Sequence, residues 1–403
     1  MHKKLIRKKK YLIFIGILMV MAFGFSMRVY AEDIKFAIPL PLTGAQAKFG
    51  EIEQKSYIMA MEEINAKGGI KGQKIVLRFE DSQGKPEVAR SIAEKLIDVD
   101  KQPVIFGEYS SSCSKAIAAV AEERKVPYIV TTGALDDITQ QNYKFVFRIC
   151  PSNAYYAGGL LSFFAEIVKP QSIAILYESS DFGTSGADEM AKSAEKAGMK
   201  VLAKEKYEKG AVDFKPVLSK IKGANPDVIY MVSYVMDAAL LMRQIKELRI
   251  DSKIFAGGAA GFAIPEFVDN AKDASEHVMT ATLWSQQMPY PGSKEYAEKY
   301  KASFKTYPSY HGAEAHATLY VIKDALDRAK SMSPQDIRDA VKATKMMTVF
   351  GPVEFVDKDG YQNQNFMDTL VLQVIKGKHE TIWPKKYASA NYVYPIPKWR
   401  DRK

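Results

Sequence analysis

The residues most able to bind a ligand are the hydroxyl side chains of one short loop. Segment 108–114 carries Ser110, Ser111, Ser112 and Ser114 between a predicted buried strand and a predicted helix. Hydroxyls and free backbone N–H groups at such a helix start can bind an anion. Helix capping is the alternative role, but one cap needs only one serine, so four favour binding.

A second hydroxyl loop follows the next predicted strand. It reads Thr131-Thr132-Gly133-Ala134. The two loops then share the carboxyl edge of one parallel sheet, which is where ligands of such folds bind. We therefore expect both loops to contribute to a single site.

No catalytic motif accompanies these loops. The sequence contains none of the patterns G-x-S-x-G, H-E-x-x-H, C-x-x-C and G-x-x-x-x-G-K-[ST]. His311 and His316 flank Glu314, but a spacing of five residues turns the two rings apart on a helix. The glycine-rich segment 257–261 lacks G-x-G-x-x-G spacing and is interpreted as a tight loop. We predict no catalytic residue, no metal and no cofactor.

Charge gives no support for a nucleic-acid surface. The 403-residue chain has 57 Lys and Arg against 47 Asp and Glu, a net charge of +10. Seven of those basic residues and no acid lie in residues 1–31, which leaves 50 basic and 47 acidic residues, or +3, beyond them. Basic and aromatic residues are not interleaved as nucleic-acid binding would favour. Cys113 and Cys150 are expected to be free and buried, and a disulfide is the alternative.

Residues 1–31 have the pattern of a cleavable signal peptide. Six basic residues precede an apolar run from Tyr11 to Phe25, and small residues end the segment at Ala31. The run is shorter than the ~20 residues of a membrane-spanning helix, so a permanent anchor is the less favoured alternative. No cysteine lies near Ala31, so the sequence does not indicate a lipid anchor. Export to the periplasm is predicted, with secretion into the medium as the alternative.

The remaining chain of about 370 residues exceeds what one hydrophobic core usually supports, so two lobes are expected. Extended apolar runs alternate with helical stretches, which predicts parallel sheets covered on both faces. The fold class is therefore α/β with two Rossmann-like lobes. The extended runs lie near 104–107, 126–131, 172–177, 228–233 and 253–256, and the helical stretches include 112–124, 153–168 and 237–248.

Segment 34–81 is predicted to form one βαβ unit. Apolar residues alternate along its first strand and then recur at helical spacing in Tyr57, Ala60, Met61 and Ile64. The helix is followed by Asn65-Ala66-Lys67-Gly68-Gly69-Ile70-Lys71-Gly72, where glycines end the helix and turn the chain. In this ordered set the chain resembles the type I periplasmic solute-binding proteins, specifically the leucine/isoleucine/valine-binding family of ABC importers.

The resemblance implies two lobes joined by three crossover segments that form a hinge. The crossovers are expected at 147–153, 281–286 and 349–353. Segment 350–355, with Asp357 and Gly360, is similar to the return strand and turn of the family. The implied domains are a signal peptide at 1–31, lobe 1 at 33–149 plus 284–348, lobe 2 at 151–281 plus 351–385, and a C-terminal tail at 386–403.

The resemblance also implies a ligand site. Family members hold a ligand carboxylate with a serine of the first loop and the backbone of the second, which match Ser111, beside Ser112, and Thr132. Amino-acid binders hold the ammonium group with a hydroxyl and an acid at positions that match Ala134 and Ala259 here.

Those two alanines weaken the case for an α-amino acid, because a buried ammonium without a carboxylate partner costs several kcal/mol. Asp237 or Glu108 would have to supply the missing charge. An apolar or aromatic acid is the other candidate ligand. Its body would lie between Phe182 and Tyr234, which match aromatic positions of the family, and Phe49 and Trp284, although ordinary core packing is an equal alternative for each ring.

The implied protein is a non-enzymatic, periplasmic binding protein acting as a monomer. It would capture a small carboxylate-bearing ligand between its lobes and deliver it to an ABC permease and ATPase complex in the inner membrane, with no nucleic-acid partner. Closure would be a hinge motion. A ligand-sensing ectodomain of a signalling system is the alternative, and the short apolar run and the lack of an effector domain count against it. A secreted hydrolase would need a nucleophile–base pair that the sequence does not show.

Overall fold

The computed structural model describes residues 32–402 of the chain. The predicted signal peptide, with its cleavage point after Ala31, and the last residue of the predicted tail, Lys403, lie outside the described residues. Within 32–402, no helix is both long and apolar enough to cross a membrane.

The first part of the chain alternates strands and helices, as the sequence pattern predicts. The chain order is β1 (Ile34–Leu40), α1 (Ala47–Ala66), β2 (Ile75–Asp81), α2 (Pro86–Glu94), β3 (Ile105–Gly107), α3 (Ser111–Arg124), β4 (Tyr128–Val130) and β5 (Val146–Arg148).

The middle of the chain repeats this alternation after two short helices. Its elements are α4 (Asn153–Tyr156), α5 (Gly158–Phe163), β6 (Ser172–Glu178), α6 (Asp181–Lys196), β7 (Lys200–Tyr207), α7 (Lys215–Ala224), β8 (Val228–Val232), α8 (Val235–Glu247), β9 (Ile254–Gly257), α9 (Pro265–Ala271) and β10 (Met279–Thr282).

The last part contains three helices followed by short strands. These are α10 (Ser293–Phe304), α11 (Tyr310–Arg328), α12 (Pro334–Lys342), β11 (Lys345–Met347), β12 (Pro352–Glu354), β13 (Val356–Lys358), β14 (Tyr361–Gln364), β15 (Leu370–Ile375) and β16 (Lys378–Trp383).

One group of strands gathers the start of the chain. Strands β3, β4 and β5 are parallel, and β1 pairs in parallel with β2. Beside β3, the buried Gln102 side chain joins the β1–β2 pair to the three parallel strands. Its Oε1 accepts from Ala37 N at 2.8 Å and its Nε2 donates to Val104 O at 2.9 Å. Strand β14 adds in parallel to β5, and β13 pairs antiparallel with β14.

The other group is a seven-stranded sheet in the order β16-β15-β10-β9-β8-β6-β7. Strands β6 to β10 are parallel to one another, whereas β15 pairs antiparallel with both β10 and β16. All five residues of β8 are buried, as expected for a strand covered by helices on both faces. The predicted α/β class with mainly parallel sheets is confirmed.

Strand pairing divides the predicted lobe 2 segment 351–385. Residues 352–364 contain β12, which pairs with β11, and β13 and β14, which extend the sheet of β5. Only β15 and β16 join the seven-stranded sheet. The chain therefore passes between the two groups of strands near 365–369, later than the third crossover expected from the sequence at 349–353. Gln364 of β14 pairs with Arg148 of β5, and pairing between such distant parts of the chain leaves no local signature in the sequence.

The turn after α1 shows why glycine is required there. Gly69 has φ of +75°, and a Cβ at this position would lie 1.8 Å from the Gln73 carbonyl oxygen. Its N–H donates to Ile64 O at 2.9 Å and so ends the helix. The predicted helical face is buried at Tyr57, Ala60 and Ile64.

The C-terminal tail runs along the edge where β9 begins. Ile396 N donates to Lys253 O at 3.2 Å, and Trp399 Nε1 donates to Ile250 O at 2.7 Å. The Arg402 guanidinium lies 3.6 Å from the centre of the Trp399 ring. Residues 396–402 are thereby fastened to the seven-stranded sheet.

Candidate ligand-binding cleft

A small cavity of about 10 Å³ lies between the two groups of strands. Six of its nine lining residues carry aromatic rings, and two carry hydroxyls on short side chains. The nine are Tyr109, Ser111, Thr132, Tyr156, Phe182, Tyr234, Ala260, Tyr310 and His311.

Four helices begin at this cavity. Ser111 is the first residue of α3, Phe182 the second of α6, Tyr234 immediately precedes α8, and Tyr310 begins α11. The first N–H groups of a helix have no partner within the helix and carry partial positive charge. Four converging helix starts therefore favour an anionic group such as a carboxylate.

Ser111 fixes the second loop and keeps its own proton free. Its Oγ accepts hydrogen bonds from Ala134 N at 3.1 Å and Leu135 N at 3.3 Å. Both bonds use lone pairs of the hydroxyl oxygen. The O–H group of Ser111, which lines the cavity, can therefore donate to a ligand.

Thr132 has the opposite arrangement. Its Oγ1 donates to Glu53 Oε1 at 2.5 Å, and the Glu108 carbonyl oxygen lies further away at 3.3 Å. Burial raises the pKa of Glu53 well above its ordinary range, the Thr132 hydrogen bond opposes this shift, and the nearby Glu108 adds to it. With its proton directed at Glu53, the Thr132 hydroxyl can accept from a ligand.

The aromatic rings form much of the remaining wall. Tyr234 lies 5.7 Å from Phe182, measured between ring centres. Tyr109 stacks on Phe49 at 4.3 Å with the two ring planes 5° apart, so Phe49 supports Tyr109 from behind and is not itself a lining residue. The Tyr310 hydroxyl accepts from Ala260 N at 3.1 Å, which joins the start of α11 to the loop after β9.

Four of the residues predicted for the site line this cavity: Ser111, Thr132, Phe182 and Tyr234. The other predicted residues lie outside the lining. Ala134 bonds through its backbone to Ser111, and Ala259 precedes the lining residue Ala260 with a left-handed φ of +61°. Ser112 is half-buried beside Ser111 on α3.

Two further residues expected at the site, Asp237 and Trp284, make their hydrogen bonds away from the cavity. Asp237 accepts from Gly210 N at 3.1 Å, within the seven-stranded sheet's own loops. Trp284 donates from Nε1 to Ser293 Oγ and Val349 O, both at 2.9 Å, and lines a separate hollow.

Sequence reasoning missed five lining residues: Tyr109, Tyr156, Ala260, Tyr310 and His311. Tyr109 adjoins the serine loop, and Ala260 adjoins Ala259, so position alone could have suggested both. Tyr310 and His311 follow Pro308-Ser309 at a helix start, but only the fold shows that α11 begins at the cleft. Tyr156 follows the first crossover.

The lining is uncharged within the described chain. Burial lowers the pKa of His311 to about 3, and its Nδ1 lies 3.0 Å from Ser309 Oγ, so the ring is neutral at physiological pH. Burial raises the pKa of Glu108 to about 7, although Ser110 N donates to its Oε1 at 3.0 Å. Neither Glu108 nor Glu53 lines the cavity; both lie behind it.

The histidine pair of α11 does not converge on one point. His316 Nε2 lies 3.1 Å from Glu63 Oε2, whereas His311 contacts Ser309. Across residues 32–402, no group of three His, Cys, Asp or Glu side chains is placed to hold a metal ion. Cys113 and Cys150 are both free and buried.

Contacts across the cleft hold the two sides together. Lys48 Nζ of α1 pairs with Glu266 Oε1 of α9 at 2.8 Å. Ser185 Oγ of α6 donates to Asp136 Oδ2 at 2.8 Å. Both bonds join residues that belong with different sheets, so the two sides are in direct contact around the cavity.

Comparison with known proteins assigns a family. The family model described as "Periplasmic binding protein" matches residues 33–378. The Leu/Ile/Val-binding protein homolog 8 of Brucella melitensis is 29% identical over 376 residues, which cover 89% of this chain and 92% of the relative. The resemblance predicted from the sequence is thereby confirmed.

Two solved structures show the same fold. A leucine binding protein from Thermotoga maritima superposes with a TM-score of 0.80 at 24% identity and covers 87% of this chain and 97% of its own. A solute binding protein of an ABC transporter from R. palustris, in complex with benzoate, has a TM-score of 0.77 at 16% identity and covers 90% and 98%. At these identities the structures establish the fold alone.

Proposed function

Because the chain belongs to the periplasmic binding protein family, we propose that it is the substrate-binding component of a branched-chain-amino-acid-type ABC importer. It captures a small carboxylate-bearing ligand in the cleft and delivers it to the permease and ATPase complex of the inner membrane. The names of its relatives support two ligand classes: amino acids, from the Leu/Ile/Val-binding homologue, and apolar or aromatic acids, from the benzoate complex.

The observation that carries this proposal is the convergence of four helix starts on a cavity walled by aromatic rings. The helix starts and the free O–H of Ser111 suit a carboxylate. The rings of residues such as Phe182 and Tyr234 suit an apolar body. A ligand with both parts would be removed from water when the two sides close, which strengthens its hydrogen bonds.

We propose that the two groups of strands are the two closing lobes. Lobe 1 comprises 33–149 and 284–364, and lobe 2 comprises 151–281 and 366–385, with the tail at 386–403 packed on lobe 2. The pairing of β14 with β5 is the reason for placing the third boundary near residue 365. The three crossovers form the hinge.

The remaining parts of the proposal concern export and activity. The protein is exported by a signal peptide cleaved after Ala31 and acts in the periplasm as a monomer. It performs no catalysis, since a binding protein that releases its ligand unchanged needs only the cleft and the hinge.

A thermal-shift screen of the chain from Glu32 onward tests the proposal. A ligand bound only by the native state raises the melting temperature. Leucine, isoleucine, valine, phenylalanine, short amides, benzoate-type acids and aliphatic acids are compared at equal concentrations. We expect at least one carboxylate-bearing compound to stabilise the protein and Ser111→Ala to reduce that shift. Stabilisation by amides alone would contradict the proposed ligand class.

A further inference from the structure

A larger hollow adjoins the cleft and is lined by both proposed lobes. Its volume is about 590 Å³, in the range of small-molecule sites, whereas the cavity of the cleft is about 10 Å³. Lobe 1 contributes Lys301 and segment 307–310, and lobe 2 contributes parts of α9, β15 and β16. The crossover between β10 and α10 contributes segment 284–287. Tyr310 lines both spaces, so the two are neighbours with a shared wall.

Three residues that line this hollow each have a buried polar atom without a hydrogen-bond partner among residues 32–402. The atoms are Ser285 Oγ, Gln286 Oε1 and Thr381 Oγ1. Ser285 is 9% exposed and Thr381 is 1% exposed. Within the same part of the chain, no residue that lines the cleft has such an atom. Buried polar atoms are nearly always hydrogen-bonded, because an unmade bond costs free energy, so this cluster indicates that a partner belongs in the hollow.

The polar groups of the lining favour a neutral partner with several hydroxyls. Two basic and two acidic side chains line the hollow: Lys301, Lys378, Asp269 and Glu380. An ion of either sign therefore meets as many like charges as opposite ones. The serine and threonine hydroxyls can each donate or accept, whereas Gln286 Oε1 only accepts. Hydroxyl groups of a ligand both donate and accept, so they can satisfy all three unpartnered atoms.

Aromatic rings supply a surface for the carbon skeleton of such a ligand. Trp284, Tyr307 and Tyr310 line the hollow. The Trp284 ring is held by its Nε1, which donates to Ser293 Oγ and Val349 O, both at 2.9 Å. The C–H groups of a sugar or polyol pack against rings of this kind while its hydroxyls reach polar groups at the side. The hollow thus combines the apolar walls and the few polar groups that are typical of a small-molecule site.

We propose that this hollow is a second ligand site, which binds a neutral polyhydroxylated molecule such as a sugar or a polyol. Ser285, Gln286 and Thr381 form hydrogen bonds with its hydroxyls, and the rings of Trp284 and Tyr307 pack against its carbon skeleton. The site is distinct from the cleft, and its ligand differs in chemical class from the carboxylate proposed there. The inference goes beyond the proposed function and does not depend on it.

Isothermal titration calorimetry of the chain from Glu32 onward tests the proposal with three probes: D-glucose, trehalose and myo-inositol. Cyclohexanol is the matched control, because it keeps the six-membered carbon ring of myo-inositol but has a single hydroxyl. We expect at least one of the three polyhydroxylated probes to bind. Cyclohexanol should bind at least about 10-fold more weakly than that probe, since it can satisfy only one of the three unpartnered atoms.

Variants of the two lining hydroxyls locate the bound probe. Ser285→Ala and Thr381→Val remove hydroxyls that bond to no other group of the described chain, so both proteins should fold and melt as the native protein does. Each variant should weaken binding of the probe by about 3- to 10-fold. Ser152→Ala is the matched control: it removes another buried serine hydroxyl without a partner, but outside the hollow, and should leave the Kd unchanged.

A variant of the cleft separates the two sites. Ser111 lines the cleft and not the hollow. Ser111→Ala should therefore bind the polyhydroxylated probe as tightly as the native protein does. Loss of probe binding in Ser111→Ala would place the probe in the cleft and overturn the proposal.

Three further results would overturn the proposal. Failure of all three probes to bind would mean that the hollow holds only water. Binding of cyclohexanol as tight as that of the best probe would make the site apolar. An unchanged Kd in both Ser285→Ala and Thr381→Val would place the probe elsewhere on the protein. These results leave the function proposed for the cleft untouched, whereas failure of every carboxylate in the thermal-shift screen would reject that function and not the second site.

Discussion

Helices begin in both walls of the cleft, but the carboxyl groups buried behind the two walls differ in how fully their oxygens are hydrogen-bonded. The first wall comprises Tyr109, Ser111, Thr132, Tyr310 and His311, and the second comprises Tyr156, Phe182, Tyr234 and Ala260. Behind the first wall, Glu53, Glu108 and Glu314 each have at least one oxygen without a hydrogen-bond partner in the described chain. Behind the second, both oxygens of Glu178 are hydrogen-bonded.

The difference separates a structural use of a buried acid from a recognition use. Glu178 holds the turn before α6 by accepting from Ser180 N at 2.7 Å and Gly183 N at 2.9 Å. Both oxygens of the Glu178 carboxyl already accept from local N–H groups, so this group is not available to bind a ligand. Each acid behind the first wall keeps at least one oxygen without a hydrogen-bond partner in the described chain, and Glu53 accepts from the Thr132 hydroxyl. We therefore expect the first wall to recognise the polar groups of a ligand.

The largest effect is expected from removing the hydrogen-bonded acid. Glu178→Ala leaves the buried Gly183 N–H without its acceptor and removes the bonds to Ser180, which should lower the free energy of unfolding by about 2–4 kcal/mol. Glu314→Gln removes a carboxyl that makes no hydrogen bond, and it should change stability far less. Chemical denaturation of both variants measures the contrast. Equal losses would show that hydrogen bonding does not distinguish the two walls.

A smaller effect, dependent on pH, is expected at Glu108. Burial raises its folded-state pKa from an ordinary 4.5 to about 7, so the folded protein holds this proton more tightly than the unfolded chain. The group's contribution to stability is complete below pH 4.5 and is lost as pH rises through 7. The side chain in Glu108→Gln has no proton to lose, so this loss of stability does not occur in the variant. The free energy of unfolding of Glu108→Gln minus that of the native protein should therefore rise by about 3 kcal/mol between pH 4.5 and pH 8.

Denaturation curves at a series of pH values measure that difference. Glutamine can still accept from Ser110 N, so the loop before α3 should keep its conformation. A difference between the two proteins that does not vary with pH would show that Glu108 titrates normally in the folded state.

How far the sequence predicts this arrangement depends on whether a feature is local. The helix face of Tyr57, Ala60 and Ile64 and the turn at Gly69 are local, and so is the placing of the Ser111 and Thr132 loops after consecutive strands. The pairing of β14 with β5 is not local, so the third crossover was expected too early. These failures and successes follow from which contacts join distant parts of the chain.

The acid partner of Thr132 shows the same limit within one helix. Glu53 lies in α1 among the polar residues Glu51, Gln54 and Lys55, one helical turn before Tyr57 on the buried face of the helix. Its spacing indicates burial but not which residue it contacts. Sequence reasoning considered Asp237 and Glu108 instead. Both are near the cleft along the chain, but contact with Thr132 is set by how α1 packs on the sheet.

The Ser111 hydroxyl of the first wall should matter for both binding and stability. Ser111→Ala removes a donor to the ligand carboxylate and should weaken binding by about 1–3 kcal/mol. It also leaves the buried N–H groups of Ala134 and Leu135 without their side-chain acceptor, so the melting temperature of the ligand-free protein should fall as well. Ser112→Ala tests the half-buried neighbour on the same helix, which does not line the cavity and should have no effect. Calorimetric titration measures both. An unaffected Kd for Ser111→Ala would remove this residue from the site.

The smallest effect is expected at the second wall, where contact with the ligand is apolar. Phe182→Leu removes part of a ring. It should weaken the binding of leucine and of 4-methylpentanoate, which is leucine without its α-amino group, by the same amount, about 1 kcal/mol, because both share the same hydrocarbon body. The ratio of the two Kd values should therefore stay constant. A fall in that ratio would mean that the Phe182 ring also attracts the ammonium group through its π face, so that recognition of the amine is shared between the walls.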